Sequence, residues 1–169
     1  SAGELLTEYD GHVYLNALEV GTIVGSTADG EMVKQADGTY QLAIHSTKVG
    51  SDDLGFSIGS SFADKEAAAM HTLVIYNPGT VDLTQSTLTV EPSTIVANGV
   101  MRAEVLVQLK DANGNNILDN LGTIQLTNVV TGIAENAGQL HFQANGTYVG
   151  IITSTKAGSD TIDFSLNGE

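Results

Sequence analysis

Apolar and polar residues alternate with a period of two at several places along the chain, the spacing of strands with one buried face. In residues 101–110, Met101, Ala103, Val105, Val107 and Leu109 alternate with Arg102, Glu104, Leu106, Gln108 and Lys110. Ile162, Phe164 and Leu166 alternate with Thr161, Asp163 and Ser165, and Leu54, Phe56 and Ile58 repeat the pattern earlier. No stretch of helical length carries a 3.6-residue period. Residues 64–70 come nearest, and they run directly into the β-rich His-Thr-Leu-Val-Ile-Tyr of 71–76. Short strands separated by turn signals predict an all-β chain built as antiparallel sandwiches.

The pattern occurs twice. Residues 36–60 (ADGTYQLAIHSTKVGSDDLGFSIGS) and 144–168 (ANGTYVGIITSTKAGSDTIDFSLNG) are identical at 13 of 25 positions at an offset of 108. A second anchor, Gly-Thr-Ile at 21–23 and 122–124, stands at an offset of 101, so the second copy is expected to hold seven more residues between its anchors. The surplus is assigned to a longer loop near residues 129–139. Carried backward, the offset of 101 sets residues 2–10 beside 103–111, a shared strand that ends at an Asp-initiated turn. Pro78-Gly79 is a turn signal, and residues 77–85 are expected to join the copies. The chain then divides into domains at 1–82 and 83–169.

These residues resemble the bacterial immunoglobulin-like repeats of the Big-1, invasin–intimin type. The matching runs are STLTVEPSTIVANG, AEVLVQLKDANGNNILDNLGTIQLT and ANGTYVGIITSTKAGSDTIDFSLNG, within residues 86–168. The likeness covers most of the second half and, more weakly, the first. It implies two tandem antiparallel immunoglobulin-like β-sandwiches, stacked as a stiff spacer of a bacterial surface protein that presents an adhesive tip. Related domains also decorate phage virions. The first copy lacks a counterpart of 86–99, an opening strand, and the second lacks a counterpart of 68–76, a closing strand. Either the chain is an excerpt of a longer array, or neighbouring subunits donate strands by β-addition in a filament or virion.

Composition narrows the function more than the fold. Twenty acidic against six basic residues give a net charge of −14. That argues against a nucleic-acid partner, because phosphates need cations to neutralise them, and against docking on an anionic membrane. No apolar run approaches the roughly 18 residues that span a bilayer. Without cysteine there is no disulfide, thiolate metal site or Cys nucleophile. Residues 1–82 carry 12 acids and 3 bases, and 83–169 carry 8 and 3. The surplus reads as a solvated face that keeps the module soluble; Asp52, Asp53, Asp64 and Glu66 are the minority candidate for calcium at the domain junction.

The most metal-like run is 111–119, where Asp111, Asn113, Asn115 and Asp119 place oxygen atoms at alternate positions followed by a carboxylate. An EF-hand loop, however, needs glycine sixth and a bidentate Glu twelfth. Here glycine is fourth and position twelve is Gly122. The favoured reading is a turn in which Asp111 bonds the backbone, with no cofactor required. His12, His45, His71 and His141 lack zinc spacing. The chain has no GxSxG elbow or P-loop lysine, and no carboxylate pair is singled out for glycoside hydrolysis. The reading is therefore non-enzymatic. Tyr40 and Tyr148 begin matching strands, each expected to place its ring in the core and its hydroxyl at the rim. Asn145-Gly-Thr147 reads first as turn chemistry. Few aromatics weaken a carbohydrate-binding role, and any host receptor or glycan goes unnamed.

Overall fold

The computed structural model describes residues 11–25, 29–61, 66–128, 133–135 and 139–169. The chain divides into two compact units, Ser1–Asn77 and Pro78–Glu169. Among the described residues every regular element is a strand, and every pairing is antiparallel.

The first unit contains β1 (His12–Asn16), β2 (Thr22–Ile23), β3 (Val33–Lys34), β4 (Tyr40–Gln41), β5 (Ile44–His45), β6 (Gly50–Gly59) and β7 (Glu66–Tyr76). Its main sheet has the order β1-β6-β7, with β2-β5 and β3-β4 as short ladders. The second unit contains β8 (Thr87–Glu91), β9 (Ala103–Gln108), β10 (Ile124–Asn128), β11 (Gln139–Phe142), β12 (Thr147–Ile152) and β13 (Ile162–Leu166), ordered β13-β10-β11-β12-β9-β8. β11 turns the corner between layers. Gln139 and Leu140 pair with β10, whereas His141 and Phe142 pair with β12. One strand thus serves both sheets of an immunoglobulin-like sandwich.

The alternation of 101–110 becomes the centre of that sandwich. Ala103, Val105, Val107 and Leu109 are buried, with Ile124, Leu126, Leu140, Tyr148, Ile152 and Leu166 packed around them. Each fully buried aliphatic side chain contributes about 1.5–3 kcal/mol, so this one strand carries a large share of the second unit's stability. Phe142 meets Tyr148 edge-on, with ring centroids 5.1 Å apart.

Strand pairing corrects the alignment of the two copies. Val13 lies opposite Ile58 and Leu15 opposite Phe56, just as Ile124 lies opposite Leu166 and Leu126 opposite Phe164. β1 therefore takes the place of β10, at an offset of 111. Thr22 faces His45 as Glu135 faces Thr153, an offset of 113. The two Gly-Thr-Ile runs are not equivalent. From Val13 to Tyr40 is 27 residues and from Ile124 to Tyr148 is 24, so the second copy is shorter here, not seven residues longer. Residues 2–10, expected as a strand, and most of the expected loop at 129–139 lie outside the described residues.

Candidate functional site

The 111–119 run folds as a turn closed by its own first residue. Asp111 Oδ1 accepts the N–H groups of Asn113 and Asn115, both at 2.9 Å. Oδ2 accepts the Asn115 side-chain amide and the Gly79 N–H, also at 2.9 Å. Gly114 adopts φ of +81°, which glycine allows cheaply. The carboxylate is buried, and the Asn115 amide and Gly79 N–H lead the donors that hold its pKa down at about 2. Four N–H donors thus converge on the first of the four candidate calcium ligands, while Asn113 and Asp119 are exposed. Among the described residues no cluster of three or more His, Asp or Glu side chains is arranged to hold a metal. Gly79 and Val81 also bond into this turn, and the Asp82 N–H reaches the Lys110 carbonyl at 2.7 Å.

A second carboxylate was hidden in what reads as an acidic surface pair. Asp53 is exposed, but Asp52 is only 2% exposed and accepts four hydrogen bonds. They come from the N–H groups of Glu19, Val20 and Gly21 and from the Tyr76 hydroxyl. Burial pushes its pKa up, but the bonds from Val20, Gly21, Glu19 and Tyr76 outweigh that and hold it below the ordinary carboxylate value. Burial and the same contact raise the Tyr76 hydroxyl. Asp52 therefore does not belong to the solvated acidic face. Asp64 lies outside the described residues.

Asp160 does the matching work in the second unit, accepting from Ile133 N–H at 2.8 Å and Ala134 N–H at 2.9 Å. The serines complete the equivalence: Ser46 Oγ donates to the Val20 carbonyl, and Ser154 Oγ donates to that of Ile133. The repeated Ser-Thr-Lys and Gly-Ser-Asp motifs are thus a loop clamp. Their recurrence in both copies was the available signal, together with the position of Asp52 on the same strand face as Leu54.

The remaining repeated residues are also structural. Asp37 Oδ1 accepts the N–H and hydroxyl of Thr39, and Asn145 Oδ1 accepts those of Thr147. Asn145-Gly146 is therefore an Asx turn. The Tyr148 hydroxyl accepts from Leu121 N–H at 2.9 Å and donates to Asn120 Oδ1 at 3.1 Å. The Tyr40 hydroxyl reaches the Gly11 carbonyl at 3.3 Å. Ring inside and hydroxyl at the rim hold fully for Tyr148, whereas Tyr40 is half-buried. All four histidines are exposed; His12 contacts Glu31, and His71 Nδ1 lies 3.5 Å from Asp53 Oδ2.

The described residues also line concavities. An apolar groove of about 670 Å³ opens on the inner face of the first unit, lined by Val13, Leu15, Leu54, Phe56, Ile58 and Met70 among others. A second, of about 680 Å³, lies in the second unit between β8 and β13, where Leu88, Val90 and Ile162 face one another.

The family model for invasin domain 3 matches residues 82–169. No curated protein matches the chain. Its structure is similar to InvD of Yersinia pseudotuberculosis, with a TM-score of 0.56 and 23% identity over 95% of this chain and 43% of that one. It is also similar to FdeC, an Escherichia coli adhesin, at 0.53 and 23%, covering 89% of this chain and 48% of FdeC. The D00-D0 domain of intimin follows at 0.50 and 14%, covering 93% and 78%. At these identities the likeness is one of fold, and the chain spans less than half of InvD or FdeC.

Proposed function

The chain belongs to the invasin domain 3 family, and on that premise we propose that it is a non-enzymatic repeat module of a bacterial cell-surface adhesin. Tandem immunoglobulin-like domains, expected from the sequence to divide at residue 82 and here divided between Asn77 and Pro78, act as a stiff spacer that holds a binding tip clear of the cell. Its immediate partners are neighbouring repeats; a host receptor or glycan belongs to the tip. The observation that carries this reading is the nature of the repeated residues. Among the described residues, those that recur between copies form clamps, Asx turns and packing tyrosines. Small-angle scattering tests it: an extended two-domain envelope is expected, and a compact globular one would overturn the spacer.

A second reading, a filament or virion subunit assembled by strand addition, draws on the edge strand β13. Light scattering separates the two, since a concentration-independent monomer excludes self-assembly. Neither reading uses calcium. Adding a chelator is expected to leave the melting temperature unchanged, and a calcium-dependent rise would restore the 111–119 run as a metal loop.

A further inference from the structure

An asparagine amide is most open to attack by the next backbone nitrogen when that residue is glycine, which has no Cβ to obstruct ring closure. Asn-Gly occurs four times in the chain, at Asn98-Gly99, Asn113-Gly114, Asn145-Gly146 and Asn167-Gly168, all in the second unit. All four glycines have positive φ, between 72° and 93°, so their conformation does not separate the sites. The hold on the asparagine side chain does.

Asn98 Oδ1 accepts the N–H groups of Val100 and Met101, both at 2.9 Å. Asn145 Oδ1 accepts the N–H and hydroxyl of Thr147, and Gly146 is buried. Asn167 is held at both ends of its amide: Oδ1 accepts Thr123 N–H at 2.9 Å, and Nδ2 donates to the Leu121 carbonyl at 3.1 Å. Asn113 is exposed, and its backbone N–H is anchored on Asp111 Oδ1. Its side-chain amide has no partner among the described residues, so it turns freely toward the nitrogen of Gly114. That nitrogen, also exposed, is held by a bond of 2.9 Å to the Asp111 carbonyl.

We propose that Asn113 is a site of spontaneous deamidation in the folded protein, and that the reaction releases the 111–115 turn from Asp111. Gly114 N gives its proton to water and attacks Asn113 Cγ. The new C–N bond closes a succinimide ring as the Cγ–Nδ2 bond breaks, and Nδ2 takes up a proton and leaves as ammonia. Water then opens the ring at either carbonyl. One opening leaves an aspartyl residue at 113. The other leaves an isoaspartyl residue, whose link to Gly114 runs through Cγ and lengthens the backbone by one carbon. Gly114 N–H and Asn115 N–H lie beyond the inserted carbon, so they are drawn off the Asp111 carbonyl and carboxylate. Either product also sets a new carboxylate beside the buried one of Asp111, and like charges repel. Gly79 N–H shares that carboxylate, so the change reaches the segment that enters the second unit. The inference stands apart from the spacer reading, because it concerns the covalent chemistry of one turn.

The test incubates the full chain in neutral buffer, with a parallel sample in urea, and maps both at intervals by peptide mass spectrometry. In the folded sample Asn113 is expected to lose its amide at least about tenfold faster than Asn98, Asn145 or Asn167, which must first break side-chain hydrogen bonds. In urea the four rates are expected to converge. A stable Asn113, equal rates in the folded chain, a faster site elsewhere or the same order in urea overturns the proposal. Amide exchange at Gly79 and Asn115 reads the release of the turn, and is expected to quicken at least about tenfold in the isoaspartyl fraction. Asn113→Gln, which needs a larger ring to cyclise, is expected to age without that change. Exchange that quickens equally in aged Asn113→Gln, or stays unchanged in the isoaspartyl fraction, overturns the release.

Discussion

Ile58 and Leu166 hold the same register in the two units, opposite Val13 and Ile124, yet Ile58 is 43% exposed and Leu166 only 8%. Tyr40 and Tyr148 differ in the same direction, half-buried against fully buried. The clamps and turns around them match. Among the described residues, Val105, Val107 and Leu109 pack in one core with Leu166 and Tyr148, while Tyr40 and Ile58 line the 670 Å³ groove of the first unit. Turns and clamps thus set the path of the chain, and a filled opposing layer sets how much of each side chain leaves water.

Truncating the equivalent pair separates the two cores most strongly. Leu166→Ala is expected to cost the second unit about 2–4 kcal/mol, and Ile58→Ala under about 1 kcal/mol in the first. Unit-resolved hydrogen exchange in urea measures both, and equal costs would show the first core to be as closed as the second. Next come Gly38 and Gly146, both at φ of +84°. A Cβ at Gly146 would lie 2.7 Å from Leu118 Cα. Gly146→Ala is therefore expected to exceed the roughly 1–2 kcal/mol left-handed penalty that a positive φ imposes at both positions. Tyr148→Phe removes two hydroxyl bonds and is expected to lower stability by about 1 kcal/mol, with a smaller loss for Tyr40→Phe. Thermal melts rank them, and the reverse order would assign the rim bonds no role.

The acid effect is absent at pH 7 in the unmodified chain. Asp111 has a folded pKa of about 2 against an ordinary 3.8, so its stabilisation is complete above 3.8 and is lost as pH falls toward 2. Asp111→Asn is expected to destabilise the second unit at neutral pH, with the gap to the unmodified chain closing between pH 4 and pH 2. A gap that persists at pH 2 would show that shape, not charge, fixes the turn.

Much of this was legible in the chain. Period-two alternation located β9 and β13, because a strand with one buried face must alternate. The repeat located β4, β5 and β12, because sandwich position demands the same turns. The Gly-Thr-Ile match misled because three common residues at a loop edge carry no contact information; the ladders, which do, align β1 with β10. Asp52 was missed for a related reason. Charge suggested the surface, but alternation already set it on the inner face, where three N–H groups of residues 19–21 receive it.

The Gly79–Asp111 bond has a mechanical consequence. A chain pulled from its ends transmits force into the second unit near Pro78, and the Asp111 carboxylate bears it before β8 can peel from β9. A side-chain hook of this kind sets the force at which the domain begins to unravel, and acid that protonates Asp111 would release it.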